Sequence, residues 1–267
     1  MGTTGTEWQY HSRSDRHSKV ACWGVMLDLL STSALLRDHV ADGKVVFGVN
    51  HSMHDFVNDQ RKDLDLVIAR PGEAQPGRRP RTFAELGEQY GVGLDDGDRR
   101  ALDELPQVAE GSVGSVLVAL EAKACMTEHS KARPRLYDEL NSSHQIVHSS
   151  SNQALAVGFV MVNAADEFLS PGRNQALAYG APEVVNHHRQ PAALEATLDK
   201  VAQLPRRSDH SARGYDGLGV VVVDMRNDGT PVRVVTDPPA PQPGDLFHYD
   251  SMIRRVAAEY DSTFRRI

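Results

Sequence analysis

Four residues have the types and spacing to do chemistry together: Asp63 and Asp65 in KDLDLVIA (62–69), and Glu121 and Lys123 in VGSVLVALEAKACM (113–126). Both segments read as strands. Successive side chains alternate along a strand, so Asp63, Asp65 and Val67 share one face of the first and Leu64, Leu66 and Ile68 the other. In the second, Glu121, Lys123 and Cys125 share a face, with Glu121 and Lys123 about 7 Å apart. Charges in such apolar runs are costly unless they are paired or bound to a metal. Alone, a Glu-x-Lys is most simply an ion pair at a strand end. On neighbouring strands, two carboxylates and an ammonium suit Mg²⁺, which prefers hard oxygen ligands and keeps several waters. A bound Mg²⁺ activates water and neutralises charge on a phosphate, and a lysine can orient the water or stabilise the developing charge. Such a set suits phosphodiester hydrolysis.

The elements around these strands follow from hydrophobic period. Apolar residues at helical spacing from about 17 to 40 predict one long amphipathic helix ending near Asp42-Gly43. KVVFGV (44–49) reads as a strand, and Pro71-Gly72 stops the strand that carries the aspartates. Residues 71–112, rich in Pro, Gly and charge, read as an insertion with short helical pieces near 82–90 and 98–105 and too few apolar residues for a core. A helix over about 133–150, a buried strand over 154–162, a loop over 170–190 and a helix over 191–204 follow. Strands at 218–225 and 231–237 flank the turn signal Asn227-Asp228-Gly229, and a helix over 249–265 ends the chain. The expected architecture is α/β: a central mixed sheet flanked by helices, with a C-terminal β-hairpin plus helix appended. Residues 1–16 are polar and read as a flexible N-terminus, and 17–267 as a single domain.

Composition narrows the classes. A chain of 267 residues with 40% hydrophobic and 24% charged residues excludes wholesale disorder and low-complexity architectures. Aromatics at 6% argue against a broad stacking platform for single strands, and a net charge of −7 against coating nucleic acid by bulk positive charge. Cys22 and Cys125 are too few for a disulfide framework or a four-cysteine zinc site, so a reducing cytoplasm is expected. No apolar run approaches a bilayer span, and the opening residues lack a signal-peptide core.

KDLDLVIA followed by VALEAKA, in this order of elements, resembles the PD-(D/E)XK nuclease superfamily, to which most type II restriction endonucleases belong. The similarity covers about residues 17–162, because that core is also helix, three strands, helix, strand. It departs in having no proline immediately before either aspartate and a long interval between Asp65 and Glu121, which the 71–112 insertion accounts for. The resemblance implies a restriction-endonuclease-like core and a Mg²⁺-dependent endodeoxyribonuclease, with Mn²⁺ as a substitute, acting on double-stranded DNA as a restriction-type enzyme. Asp65 and Glu121 would be metal ligands and Lys123 the catalytic lysine. Asp63 stays open as a ligand, with Asp65 favoured because it directly precedes LVI and lies further into the strand. In the resembled fold the helix after Glu-x-Lys lies near DNA, which makes Lys131, Arg133 and Arg135 candidates for phosphates and Asn141 and Gln145 for base edges. Arg78, Arg79, Arg81, Arg206, Arg207 and Arg213 are weaker candidates. Cleavage of both strands implies a homodimer. The alternatives are a repair, recombination or phage-type nuclease of the same fold, or a non-catalytic DNA-binding module.

Other motifs carry less. His51 and His54 have metal-pair spacing but no third ligand, and His187-His188 reads the same way. Gly217-Leu218-Gly219 lacks the strand–loop–helix setting of a phosphate loop.

Overall fold

The structure, a computed structural model, describes residues 8–55, 59–73, 79–209 and 211–267. Helices α1 (Arg16–Thr32) and α2 (Ala34–Ala41) are followed by strands β1 (Val46–Asp55) and β2 (Gln60–Pro71). Helices α3 (Phe83–Tyr90) and α4 (Asp96–Glu104) precede β3 (Val113–Cys125), α5 (His129–Ser150) and β4 (Leu155–Asn163). Next come β5 (Glu167–Leu169), β6 (Val185–His187), α6 (Ala192–Ala202), β7 (Gly217–Asp224), β8 (Arg233–Val235) and α7 (Tyr249–Thr263).

Six strands form a mixed sheet in the order β1-β2-β3-β4-β7-β8, so the fold is α/β with helices on both faces. The first three strands form an antiparallel meander, β4 and β7 run parallel to β3, and β8 returns antiparallel. Helices α1, α2 and α7 close one face over Leu66, Ile68, Val118 and Leu120. The other face is closed by α5 and α6 over Val67, Ala119, Ala156 and Val160. Cover on both faces explains why β3 is buried without a break from Val116 to Ala122.

Several sequence expectations change. The long first helix is two helices, bent by 97° at Ser33. Ser33 is extended, and its hydroxyl accepts the Leu36 N–H at 3.0 Å, capping α2 and stopping α1. The 71–112 insertion joins the main core: Phe83, Leu86 and Val108 are buried there, with Phe83 stacked on Trp23 at 4.6 Å. Helix α5 starts at His129, before the expected boundary, with His129 Nε2 donating to the Asn163 carbonyl at 2.9 Å. The expected 170–190 loop contains β6, which pairs with β5 as a small separate sheet.

The C-terminal segment is no appendage. β7 extends the central sheet, and α7 buries Met252, Val256 and Tyr260 in the main core. Gly217 and Gly219 lie under α7: a Cβ at Gly217 would sit 2.3 Å from Val256 Cγ2, and one at Gly219 2.8 Å from Met252 Sδ. Close packing of helix on strand accounts for this glycine pair. Residues 9 and 10, expected to be loose, are tied to the β7–β8 connection. The Tyr10 N–H donates to Asn227 Oδ1 at 2.8 Å, and Asn227 Nδ2 donates back to the Tyr10 carbonyl at 3.0 Å. Residues 1–7 lie outside the described residues. Among the described residues no single helix is long and apolar enough to cross a membrane.

Candidate active site at the β2–β3 fork

β2 and β3 are paired as far as Leu66 with Leu120. In this register the next pair would be Asp65 with Glu121, and there the ladder stops. The Ala122 N–H donates instead to Asp65 Oδ2 at 2.9 Å. Ser18, in the first turn of α1, donates to Asp65 Oδ1 at 2.9 Å. On the other side, pairing of β1 with β2 skips Asp65: Val49 faces Leu66 and His51 faces Leu64, while Asn50 between them has φ 49°. The interruption breaks the alternation expected for this strand. Leu64 joins the α5-side core, whereas Leu66 and Ile68 join the α1-side core.

Glu121 is 3% exposed. Its Oε1 lies 2.8 Å from Lys123 Nζ and 3.5 Å from Lys62 Nζ. Its Oε2 is buried and has no hydrogen-bond partner. The two lysines differ in what they have left to offer. An ammonium carries three donors. Lys62 directs its donors to Glu121, to the Glu139 carbonyl at 2.6 Å and to Ser142 Oγ at 3.2 Å, all within the protein. Lys123 meets Glu121 Oε1 and, at 3.1 Å, Glu139 Oε2; it lines a cavity of about 840 Å³, and its third donor has no partner among the described residues.

Burial pushes the Glu121 carboxyl above its ordinary range, opposed by Lys123 and Lys62 and reinforced by Asp65. Burial lowers Lys62, with Glu121 opposing. For Lys123 burial also acts downward, but Glu121 outweighs it and keeps the ammonium protonated. Cys22 is buried in the α1-side core, its thiol held well above the ordinary range by burial and then by Asp65 and Glu121.

The cavity runs between the Tyr10–Ser18 segment, the first turns of α5 and the loop around Phe168 to Arg173. Tyr10 packs on His17 at 5.0 Å and edge-on to Phe168 at 6.2 Å. His17 lines the cavity with Asp65 and has a buried Nδ1 without a partner; burial holds its imidazole below the ordinary value.

The fold therefore brings Asp65, Glu121 and Lys123 together. Asp63 is exposed, lies outside the cavity lining and acts on His51. Lys131 and Arg135 line the cavity, while Arg133, Asn141 and Gln145 do not. Asn141 Oδ1 accepts from His144 at 3.1 Å. Among the weaker candidates, Arg207 is buried on Asp216 at 2.6 Å and cannot meet a ligand there. Arg79 and Arg81 pair with Glu85 and Glu110, and Arg78 lies outside the described residues. His54 hydrogen-bonds Asp59, and His188 holds Ala165 and Thr127, so neither histidine pair is arranged as a metal pair.

Sequence reasoning missed Lys62, Glu139 and Ser18. Alternation puts Lys62 on the side of Leu64, facing α5, and away from Asp65; only the direction of Glu121 toward α5 makes it a site residue. Glu139 stands four residues after Arg135, a spacing visible in the sequence but common on exposed helices.

Among the described residues no three His, Cys, Asp or Glu side chains converge on one point. Mg²⁺ commonly uses one or two carboxylates with waters and substrate phosphate. The orphaned Oε2 of Glu121, a carboxylate within electrostatic reach of Asp65, fits that demand. Comparison with family models, with curated proteins and with solved structures found no match.

Proposed function

We propose that this protein is a divalent-metal-dependent endodeoxyribonuclease with a restriction-endonuclease-like core, acting on double-stranded DNA. The observation that carries this is the fork: the β2–β3 ladder ends where Asp65 would meet Glu121, leaving Asp65 and Lys123 at a cavity wall and the buried Glu121 carboxylate paired with Lys123 just behind it. The order α1, three-strand meander, α5 and parallel β4 supports this reading, being the order that the resemblance to the PD-(D/E)XK superfamily implies.

Asp65 and Glu121 would hold Mg²⁺ or Mn²⁺. When bound, the metal supplies an activated water and charge neutralisation at the scissile phosphate. Ser18 and the Ala122 N–H fix the Asp65 carboxylate, so it is oriented before any ligand arrives. Lys62 and Lys123 compensate the buried charge of Glu121. Lys123, with a donor toward the cavity, orients the attacking water or stabilises charge on the phosphate. Arg135 contacts the backbone of the substrate at the cavity rim, while Lys131 stays paired with Glu128. A homodimer would place one site on each strand.

The test is cleavage of duplex DNA by purified protein with Mg²⁺ or Mn²⁺, abolished by chelator and by Glu121→Gln. Ca²⁺ should support binding without efficient cutting. Cleavage undiminished by chelator overturns the metal mechanism. Metal-independent binding of DNA without cutting in either metal indicates a binding module instead.

A further inference from the structure

Glu139 carries an inference that rests on the proposed nuclease function and extends it. Its carboxylate is held between two cations that come from different elements. Oε1 accepts from Arg135 Nε at 2.5 Å, and Oε2 lies 3.1 Å from Lys123 Nζ. Arg135 is the residue one turn earlier on α5, and an exposed helical pair of that kind needs no explanation. Lys123 does: it is on β3, its other partner is the buried Glu121, and it reaches out of the strand to the same carboxylate. All three side chains line the cavity beside Asp65. Glu139 keeps 31% of its side chain exposed, so it stands at the cavity wall within reach of solvent. Burial works against its ionisation, but Arg135 and Lys123 outweigh it and hold the carboxyl below the ordinary range.

An oxyanion bridging a lysine and an arginine at the wall of a phosphodiesterase cavity occupies the position a phosphate group would take. Both cations are types that bind phosphate, Arg through its planar fork and Lys as a point charge. We propose that Lys123 and Arg135 form a phosphate seat, and that the Glu139 carboxylate fills it in the free protein and is displaced by a phosphate of the substrate. Glu139 thereby keeps both cations in place at the cavity wall, where Arg135 itself is 83% exposed, and raises the threshold for binding any anion there.

The experiment compares Glu139→Gln with Glu128→Gln, measuring affinity for a short fluorescent DNA duplex in Ca²⁺. Glu128 also lines the cavity but among the described residues its carboxylate pairs only with Lys131, at 3.1 Å, so it controls for the loss of one negative charge. Glu139→Gln should bind about tenfold more tightly than the parent and steepen the salt dependence by about one counterion. Glu128→Gln should change affinity less than about twofold. Adding Lys123→Met to Glu139→Gln should remove the gain. Equal gains for the two glutamine variants, or none for Glu139→Gln, overturn the seat.

If neither parent nor variants bind DNA, the nuclease function fails, and the seat is then decided by inorganic phosphate alone. Added phosphate should raise the melting temperature of Glu139→Gln by about 3 °C more than that of the parent or Glu128→Gln. Equal shifts in all three proteins would reject it.

Discussion

Asp65 and Ala122 are joined by a hydrogen bond of 2.9 Å from the Ala122 N–H to Asp65 Oδ2, at the point where their strands cease to pair. A side chain thus replaces the backbone carbonyl that a continued ladder would have supplied. The bond satisfies a donor that would otherwise be lost, and together with Ser18 it fixes the Asp65 carboxylate.

That geometry separates the two aspartates. Asp65→Asn should abolish cleavage, while Asp63→Asn, altering an exposed residue outside the cavity, should leave it near the parent level. Ser18→Ala should lower cleavage about 10–100-fold by freeing one oxygen of Asp65. Steady-state and single-turnover rates check this; loss of cleavage in Asp63→Asn alone would reverse the assignment.

Lys123→Ala should leave folding close to the parent, because Lys62 remains as a counter-ion for Glu121, and should weaken DNA binding only by the one phosphate contact it supplies. The chemical step should slow by about 10²–10³. Thermal melting and DNA binding measured beside single-turnover cleavage test the pair of claims. Cleavage at the parent rate would remove Lys123 from the site.

Lys62→Met should show the opposite balance. All the donors of Lys62 are committed to the protein, and its loss strips a partner from Glu121, from the Glu139 carbonyl and from Ser142. A destabilisation of about 1–3 kcal/mol is expected, readable by denaturant unfolding. Unchanged stability would mean that these contacts contribute nothing net.

Acid sensitivity should centre on His144. Burial, then His148 and Arg213, lowers its pKa to about 4, so it is neutral in the fold at pH 6. The unfolded chain, with a histidine pKa of about 6.5, binds more protons between those values, so stability rises with pH through that window. Stability is therefore full above about pH 6.5 and falls toward pH 4, by up to about 3 kcal/mol from this residue. His144→Gln should flatten the profile of unfolding free energy between pH 4 and 6.5; an unaltered slope would assign the effect elsewhere.

Local pattern in the sequence determined most of the elements and the face that Glu121 and Lys123 share. The run from Val116 to Ala122 could only be a strand covered on both faces, because apolar residues on both sides need two layers. Within it, Glu121 and Lys123 share a face by the two-residue period alone. Ser33 as a helix stop was also legible in principle, since a hydroxyl three residues before Leu36 can cap the next helix. The full membership of the site was not legible. Period-two alternation treats Asp63 and Asp65 alike and assigns Lys62 to the opposite face, whereas the end of the β2–β3 ladder and the positive φ of Asn50 reorient the strand between them. Glu139 and Ser18 enter through the docking of α5 and α1 onto that fork, and the 71–112 segment joins the core because Phe83 meets Trp23 across the fold. Such contacts depend on where strands stop pairing and how helices settle on them, which is fixed by long-range packing and by no spacing along the chain.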